Sequence, residues 1–329
     1  MTRVVTVTLN PALDITYAVP ALAVGSSVRV ENVRSRAGGK GVNVAAVVRQ
    51  LGGDAVVVAP GARTEPDPFR DGLDSLGLRH HLVPSLATVR RTVAVVGADG
   101  PTTILLEPGS PAPAGTADAI AATVALELTG ADALVVSGSV PPGLPDDLPA
   151  RLARLASGIP VIVDVSGPAL RAAVGAGAIL VPNLSEISEI SGGEPVVAAR
   201  ELVGQGAAAV VVTLGEDGAV AVTPGGAWHA RTPEVVDGNP TGAGDAATAA
   251  LALRLAAGAL RPADAAGALR PTDAAGALRP ADAAGVFWPA ALADVVATSA
   301  ACVLRPVAGE IDLDARRRWL SAITVEELT

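Results

Sequence analysis

Five short runs of continuous aliphatic residues limit what this chain can fold into: Val56-Val57-Val58, Ala133-Leu134-Val135-Val136, Val161-Ile162-Val163, Ile179-Leu180-Val181 and Val210-Val211-Val212. A strand with one wet face alternates apolar and polar residues, whereas an unbroken run is covered on both faces. Stretches of helical length separate the runs, so an α/β fold is expected, with a mostly parallel sheet between two helix layers. Residues 3–9 read as a further buried strand ending at Asn10-Pro11. Most runs end in polar or glycine-rich turns, such as Ser137-Gly138-Ser139, Asp164-Val165-Ser166-Gly167, Asn183-Leu184-Ser185-Glu186 and Thr213 to Gly218. In open α/β sheets the ligand site lies off those carboxyl ends.

Composition narrows the function. Half of the 329 residues are apolar but only 2% are aromatic, so the core must be Ala, Val and Leu. The net charge of −9, without a basic tail, argues against nucleic acid as a partner. No uncharged apolar run reaches membrane-spanning length. With one cysteine, Cys302, and an N-terminus that runs into a β-like stretch without a signal core, a soluble cytoplasmic protein is expected.

Chemistry concentrates in Asn239-Pro240-Thr241-Gly242-Ala243-Gly244-Asp245, followed by the alanine-rich run Ala246 to Ala252. Turn glycines at the start of a buried helix aim the N–H groups of residues 242 to 245 one way, and with the helix dipole they form an anion site. Asp245 stands in that site. Its use there would be to take a proton from a nucleophile attacking the bound anion. The dipole alone also favours Asp in a first helical turn, so the pattern by itself leaves both readings open.

Ala37 to Ala45 is a second glycine-rich turn opening a helix to about Leu51. It lacks the Ser/Thr of a Walker loop and the spacing of a dinucleotide fingerprint. Of 24 basic residues 23 are arginine, and the single lysine, Lys40, lies in this turn. Lys40 and Asn43, one turn apart, suit an anionic, polyhydroxylated small molecule. Residues 15–36 alternate like half-exposed strands, and 88–106 read as a hairpin about Ala98-Asp99-Gly100; together they make a small extra sheet. Three near-identical nonapeptides between Leu260 and Val286 look like an expanded surface loop. Residues 290–304 and 314–329 are expected to be helices.

These residues resemble the PfkB (ribokinase-like) sugar kinases, in particular the 1-phosphofructokinase and tagatose-6-phosphate kinase branch. Thr8-Leu9-Asn10-Pro11-Ala12-Leu13-Asp14, Gly38 to Ala45, Val136 to Pro141, Asn183-x-x-Glu186, Thr213-Leu214-Gly215 and Asn239 to Ala252 follow in that family's order. The resemblance spans nearly the whole chain. It implies one ribokinase-like domain, residues 1–329, with three α/β/α layers and a small β-sheet lid from about 12–36 and 88–107. It further implies ATP and Mg²⁺, and phosphoryl transfer to a ketohexose phosphate, fructose 1-phosphate first. Asp245 would be the base, and the N–H groups of Gly242, Ala243 and Gly244 would hold the developing charge. Asp14, Gly39, Asn43 and Ser139 would contact the sugar phosphate. Lys40 and Arg91 would clamp its phosphate, Arg90 being read as an exposed hairpin charge. Asn183, Thr213, Gly215 and Gly218 would line the nucleotide site, and Glu186 with Asn183 would position the metal. The open edge of the lid suggests a homodimer. A dinucleotide-dependent oxidoreductase and a non-catalytic sugar-phosphate sensor are the competing classes.

Overall fold

The computed structural model describes residues 1–97, 102–259 and 288–329. The nonapeptide repeats and the expected turn at 98–100 lie outside the described residues. In chain order the strands are β1 (Arg3–Thr8), β2 (Ala12–Val19), β3 (Asn32–Gly38), β4 (Asp54–Ala62), β5 (Arg79–Leu86), β6 (Arg90–Gly97), β7 (Thr103–Leu106), β8 (Ala133–Ser137), β9 (Val161–Asp164), β10 (Ile179–Leu180), β11 (Ala209–Thr213), β12 (Ala219–Thr223), β13 (Gly226–Arg231) and β14 (Thr324–Leu328). The helices are α1 (Lys40–Gln50), α2 (Pro68–Ser75), α3 (Thr116–Glu127), α4 (Leu148–Leu155), α5 (Gly167–Ala173), α6 (Leu184–Ile190), α7 (Pro195–Gly204), α8 (Ala243–Ala259), α9 (Trp288–Val303) and α10 (Leu313–Leu320).

Ten strands form one sheet in the order β14-β13-β12-β11-β10-β9-β8-β1-β4-β5. It is parallel from β11 to β5 and antiparallel from β11 to β14. The unbroken apolar runs have a direct physical reason. Val4, Ala133, Val135 and Val57 point into a core shared with α1, α8 and α9. Their neighbours Val5, Leu134, Val136 and Val58 point into a second core under α3, α4, α5 and α7. Period-two alternation here sorts residues between two dry layers.

Four strands form a second sheet, ordered β3-β2-β6-β7, with β2 parallel to β6 and antiparallel to β3. Strand β7 returns antiparallel on β6, pairing Val93 with Leu105. The chain's end departs from expectation. Instead of one helix over 314–329, α10 stops at Leu320 and Thr324–Leu328 pairs with β13 at the edge of the large sheet. Its charged composition suits a short edge strand, and the vacant edge of β13 decides the conformation. No helix among the described residues is long and apolar enough to cross a membrane.

A buried ionic knot ties α8, α9 and α10. Asp294, 4% exposed, accepts from Arg254 Nε at 2.6 Å and from Thr298 Oγ1 at 3.2 Å, and it also pairs with Arg316. Removing this buried carboxylate strands the Arg316 guanidinium, 17% exposed, and takes the partner from the more exposed Arg254, which is worse than losing a surface pair. Asp294→Ala is therefore expected to lower unfolding free energy by about 3 kcal/mol. Urea denaturation that finds a loss under about 1 kcal/mol, the range of an exposed pair, would reject this account.

Candidate active site

The turn before α8 is held in shape by its own residues. The Asn239 side chain accepts from the N–H of Thr241 at 3.1 Å and donates to the carbonyl of Pro306 at 3.1 Å. Gly242 has φ +85°, and a Cβ there would stand 2.7 Å from that of Ala308, so conformation and space both demand glycine. The first i→i−4 bond of α8 runs from Ala246 N–H to Gly242 O at 2.9 Å. The amides of Gly242, Gly244 and Asp245 reach no backbone carbonyl. Ala243 differs from expectation: its N–H donates back to Pro240 O at 3.1 Å, closing the turn. The donors left for an anion are thus 242, 244 and 245.

Asp245 is 5% exposed and accepts from Asn43 Nδ2, on α1, at 2.8 Å. Helix α1 starts where the Gly39 carbonyl accepts from Val42 and Asn43, at 3.0 and 3.1 Å, which brings Lys40 and Asn43 to the same end of the sheet. Burial, aided by the charge of Asp164, pushes the Asp245 carboxyl up to about 7, with Lys40 and the Asn43 hydrogen bond pulling the other way.

Asp164, at the end of β9, was not singled out in the sequence and proves central. Its Oδ1 accepts from Lys40 Nζ at 2.8 Å and its Oδ2 from Ser137 Oγ at 3.0 Å. Glu186 Oε1 lies 3.8 Å from the same ammonium. Burial would lower the Lys40 pKa, but Asp164, Asp245 and Glu186 outweigh it and push it up. Lys40, expected at the sugar's phosphate, thus sits among carboxylates. Glu186 and Asn183 form a capping box: Asn183 N–H donates to Glu186 Oε2, and Glu186 N–H to Asn183 Oδ1, each at 2.9 Å. Burial still pushes the Glu186 carboxyl up.

Across from this group stands one face of the small sheet. Asp14 pairs in register with Arg36 on one side and Thr92 on the other, while Arg90 is opposite Ala12. Residues two apart share a face, so Asp14, Arg36, Arg90 and Thr92 look the same way. Burial pushes the Asp14 carboxyl up to about 6 against the pull of Arg36 and Arg90. Gly38 has no room for a Cβ, because the Asp14 carboxylate lies against its Cα. Arg91 is on the opposite face, 59% exposed, and pairs with Glu107 at 3.0 Å. In position the two hairpin arginines are therefore the reverse of what was expected. Arg90 turns inward and donates to Glu107 O at 3.1 Å and Asn10 O at 3.4 Å. Asn10 Nδ2 in turn donates to Ser139 Oγ at 2.9 Å, which brings Ser139 to this side.

Beside the α8 turn opens a cavity of about 780 Å³. Asn183, Thr213, Gly215, Gly218, Ala243 and Gly244 line it, so the residues expected at a nucleotide site lie together. Helix α9 supplies a wall of Val295, Val296 and Ser299 that carried no sequence signal.

Comparison with known proteins gives the family and the fold. Residues 5–279 match the model of the pfkB family carbohydrate kinases. A 1-phosphofructokinase of Xanthomonas campestris pv. campestris is 33% identical over 268 residues, 77% of this chain and 84% of that protein. The ATP-dependent 6-phosphofructokinase isozyme 2 of Mycobacterium tuberculosis is 32% identical over 78% of each chain. The crystal structure of phosphofructokinase-2 from Escherichia coli, in complex with potassium, superposes with a TM-score of 0.82 at 26% identity, covering 98% of this chain and 99% of the other.

An aspartate whose pKa is raised from 3.8 to about 7 destabilises the fold once it ionises. Its favourable contribution is complete below the unfolded value and is lost as pH rises through about 7. Asp245→Asn is therefore expected to raise Tm at pH 8, the gain shrinking as pH falls through about 7 toward the unfolded value of 3.8. Melting curves showing the same difference at pH 8 and pH 5 would contradict the burial argument.

Proposed function

As a member of the pfkB family of carbohydrate kinases, the chain is a sugar kinase, and we propose that it phosphorylates a ketohexose phosphate with ATP, fructose 1-phosphate before tagatose 6-phosphate or fructose 6-phosphate. Relatives named 1-phosphofructokinase, 32–35% identical over about three quarters of this chain, support the choice of sugar. One observation carries the reading: a buried carboxylate, Asp245, beside three free amides at a helix N-terminus, between a cationic sheet face and a cavity of nucleotide size.

In this mechanism the sugar lies against Asp14, Gly39 and Asn43, and its existing phosphate is received by Arg90 and Ser139. Arg90 gives its described hydrogen bonds to main-chain carbonyls, so its charge is not cancelled by a direct carboxylate partner. Asp245 takes the proton of the 6-hydroxyl, and that oxygen forms a bond to the terminal phosphorus of ATP. The bond from that phosphorus to the bridging oxygen breaks, and ADP leaves with the electron pair. The amides of Gly242, Gly244 and Asp245 receive the charge on the transferred group, the main source of acceleration for such reactions.

Among the described residues no three His, Cys, Asp or Glu side chains gather into a metal cage. A hydrated magnesium ion carried by the phosphates would be met by Glu186 Oε1, which lies outside the capping box, while both Asp164 oxygens already accept from Lys40 and Ser137. Magnesium, when bound, supplies charge neutralisation at the phosphates. Asn183 is assigned to the nucleotide rather than the metal because it lines the cavity and its Oδ1 already accepts from Glu186 N–H. Lys40 offsets part of the negative charge of Asp164, Asp245 and Glu186, which eases the entry of phosphates. Exposed Val33 and Leu105, on the sheet face away from Asp14, favour a homodimer through the small sheet. An ATP-using sugar kinase belongs in the cytoplasm.

With Mg·ATP and purified protein, fructose 1,6-bisphosphate should form from fructose 1-phosphate. Failure on fructose 1-phosphate, tagatose 6-phosphate and fructose 6-phosphate alike would end the kinase reading. Asp245→Asn should lower kcat by roughly 10³-fold without loss of ATP binding. In the wild type kcat/KM should fall as pH drops below about 7, where Asp245 gains its proton. Arg90→Ala should raise the KM for the sugar phosphate by roughly tenfold or more, while Arg91→Ala leaves it nearly unchanged. The reverse pattern would restore Arg91 to the site.

A further inference from the structure

The segment between α9 and α10, residues 304–312, meets three elements that the reaction must align. At the end of α1, Gln50 grips it on both sides: Nε2 donates to Gly309 O at 2.7 Å, and Oε1 accepts from Ile311 N–H at 3.1 Å. The turn before α8 is tied to it by Asn239, whose side chain donates to Pro306 O at 3.1 Å, and by the close approach of Gly242 to Ala308. The third element is the small sheet. From β3, Arg36 crosses to the segment, and its Nη1 donates to the carbonyl of Ala308.

A second observation concerns the far side of the same guanidinium. Arg36 Nη2 and Asn43 Oδ1 are both buried without a hydrogen-bond partner. They face one small space: a Cβ on Gly309 would stand 3.0 Å from the first and 3.1 Å from the second. The other end of the Asn43 amide donates to Asp245 at 2.8 Å. An unmade donor and an unmade acceptor thus share a gap one residue away from the buried carboxylate. Guanidinium can only donate, so an Arg36–Asn43 bond would hold the Asn43 carbonyl toward Arg36 and its amino group toward Asp245.

We propose that Arg36 is a positioning residue that couples closure of the small sheet to the alignment of Asp245 and of the amide turn. It keeps hold of Ala308 through Nη1. When the sheet settles on the sugar, Nη2 meets Asn43 Oδ1 and fixes the amide that orients the base. Gly309, with φ +76°, is held to glycine by its backbone, and any side chain there would also fill that gap. The proposal rests on the kinase reading but adds a residue that acts through others, without touching the sugar or the phosphates.

The test uses the full chain with Arg36→Met, which removes the guanidinium but keeps the length, and Arg36→Lys, which keeps one donor. Arg36→Met should lower kcat by roughly tenfold to a hundredfold while the KM for fructose 1-phosphate changes little, and Arg36→Lys should recover part of that loss. Hydrogen exchange gives a readout that does not need turnover. In the wild type, fructose 1-phosphate should protect both the small sheet and residues 239–246; in Arg36→Met the sheet should still be protected and the turn should not. A raised KM with normal kcat would make Arg36 a direct sugar contact and overturn the proposal. So would unchanged kinetics with a lowered Tm, the mark of a plain structural tie, or equal protection of the turn in both proteins. If Arg36→Met does not fold, the same exchange comparison on Arg36→Lys decides. A wild type inactive on all three sugar phosphates would fail the kinase reading itself, a separate result.

Discussion

A carboxylate buried at the N-terminus of a helix is the constraint around which the rest of this structure is arranged. Asp245 is 5% exposed, and Asp164, 3% exposed, is near enough to raise its pKa. Such a group would be intolerable in an apolar core. It is stabilised by what converges on it: the dipole and free amides of α8, the Asn43 amide from α1, and the Lys40 ammonium held by Asp164. The balance is incomplete, and burial leaves the carboxyl pushed up to about 7.

Bringing those groups together needs helices that approach closely, and the composition provides for it. Ala246, Ala247, Ala249, Ala250 and Ala252 are all at most 1% exposed, so α8 packs against its neighbours almost backbone to backbone. A core poor in aromatics is the consequence. The ionic knot around Asp294 then ties α8 to α9 and α10, at the end of the helix away from the amide turn.

The small sheet contributes through its register. Because side chains alternate, shifting attention by one residue from Arg91 to Arg90 moves a cation from solvent to the cleft. The same parity sets Asp14, Arg36 and Thr92 on the inner face and Val33 and Leu105 on the outer one. The same four strands thus carry a charged inner face and an apolar outer one.

Sequence by itself determined the features that depend on neighbouring residues. Unbroken Val and Ile runs require two dry faces and hence the three-layer architecture. Glycines around Asp245 predicted the turn, and the Asn183-x-x-Glu186 spacing is the capping box that begins α6. Tertiary structure decided whatever depends on pairing between distant segments. Asp164 gained its importance only when β9 brought it to Lys40, 124 positions away, and Arg36 when β3 met a segment 272 positions on. Which of Arg90 and Arg91 faces inward awaited the pairing of β2 with β6. Residues 324–328 became a strand because the edge of β13 offered unpaired N–H and C=O groups. Local pattern sets conformational preference, but burial, strand register and the partners of a charge are properties of the assembled chain.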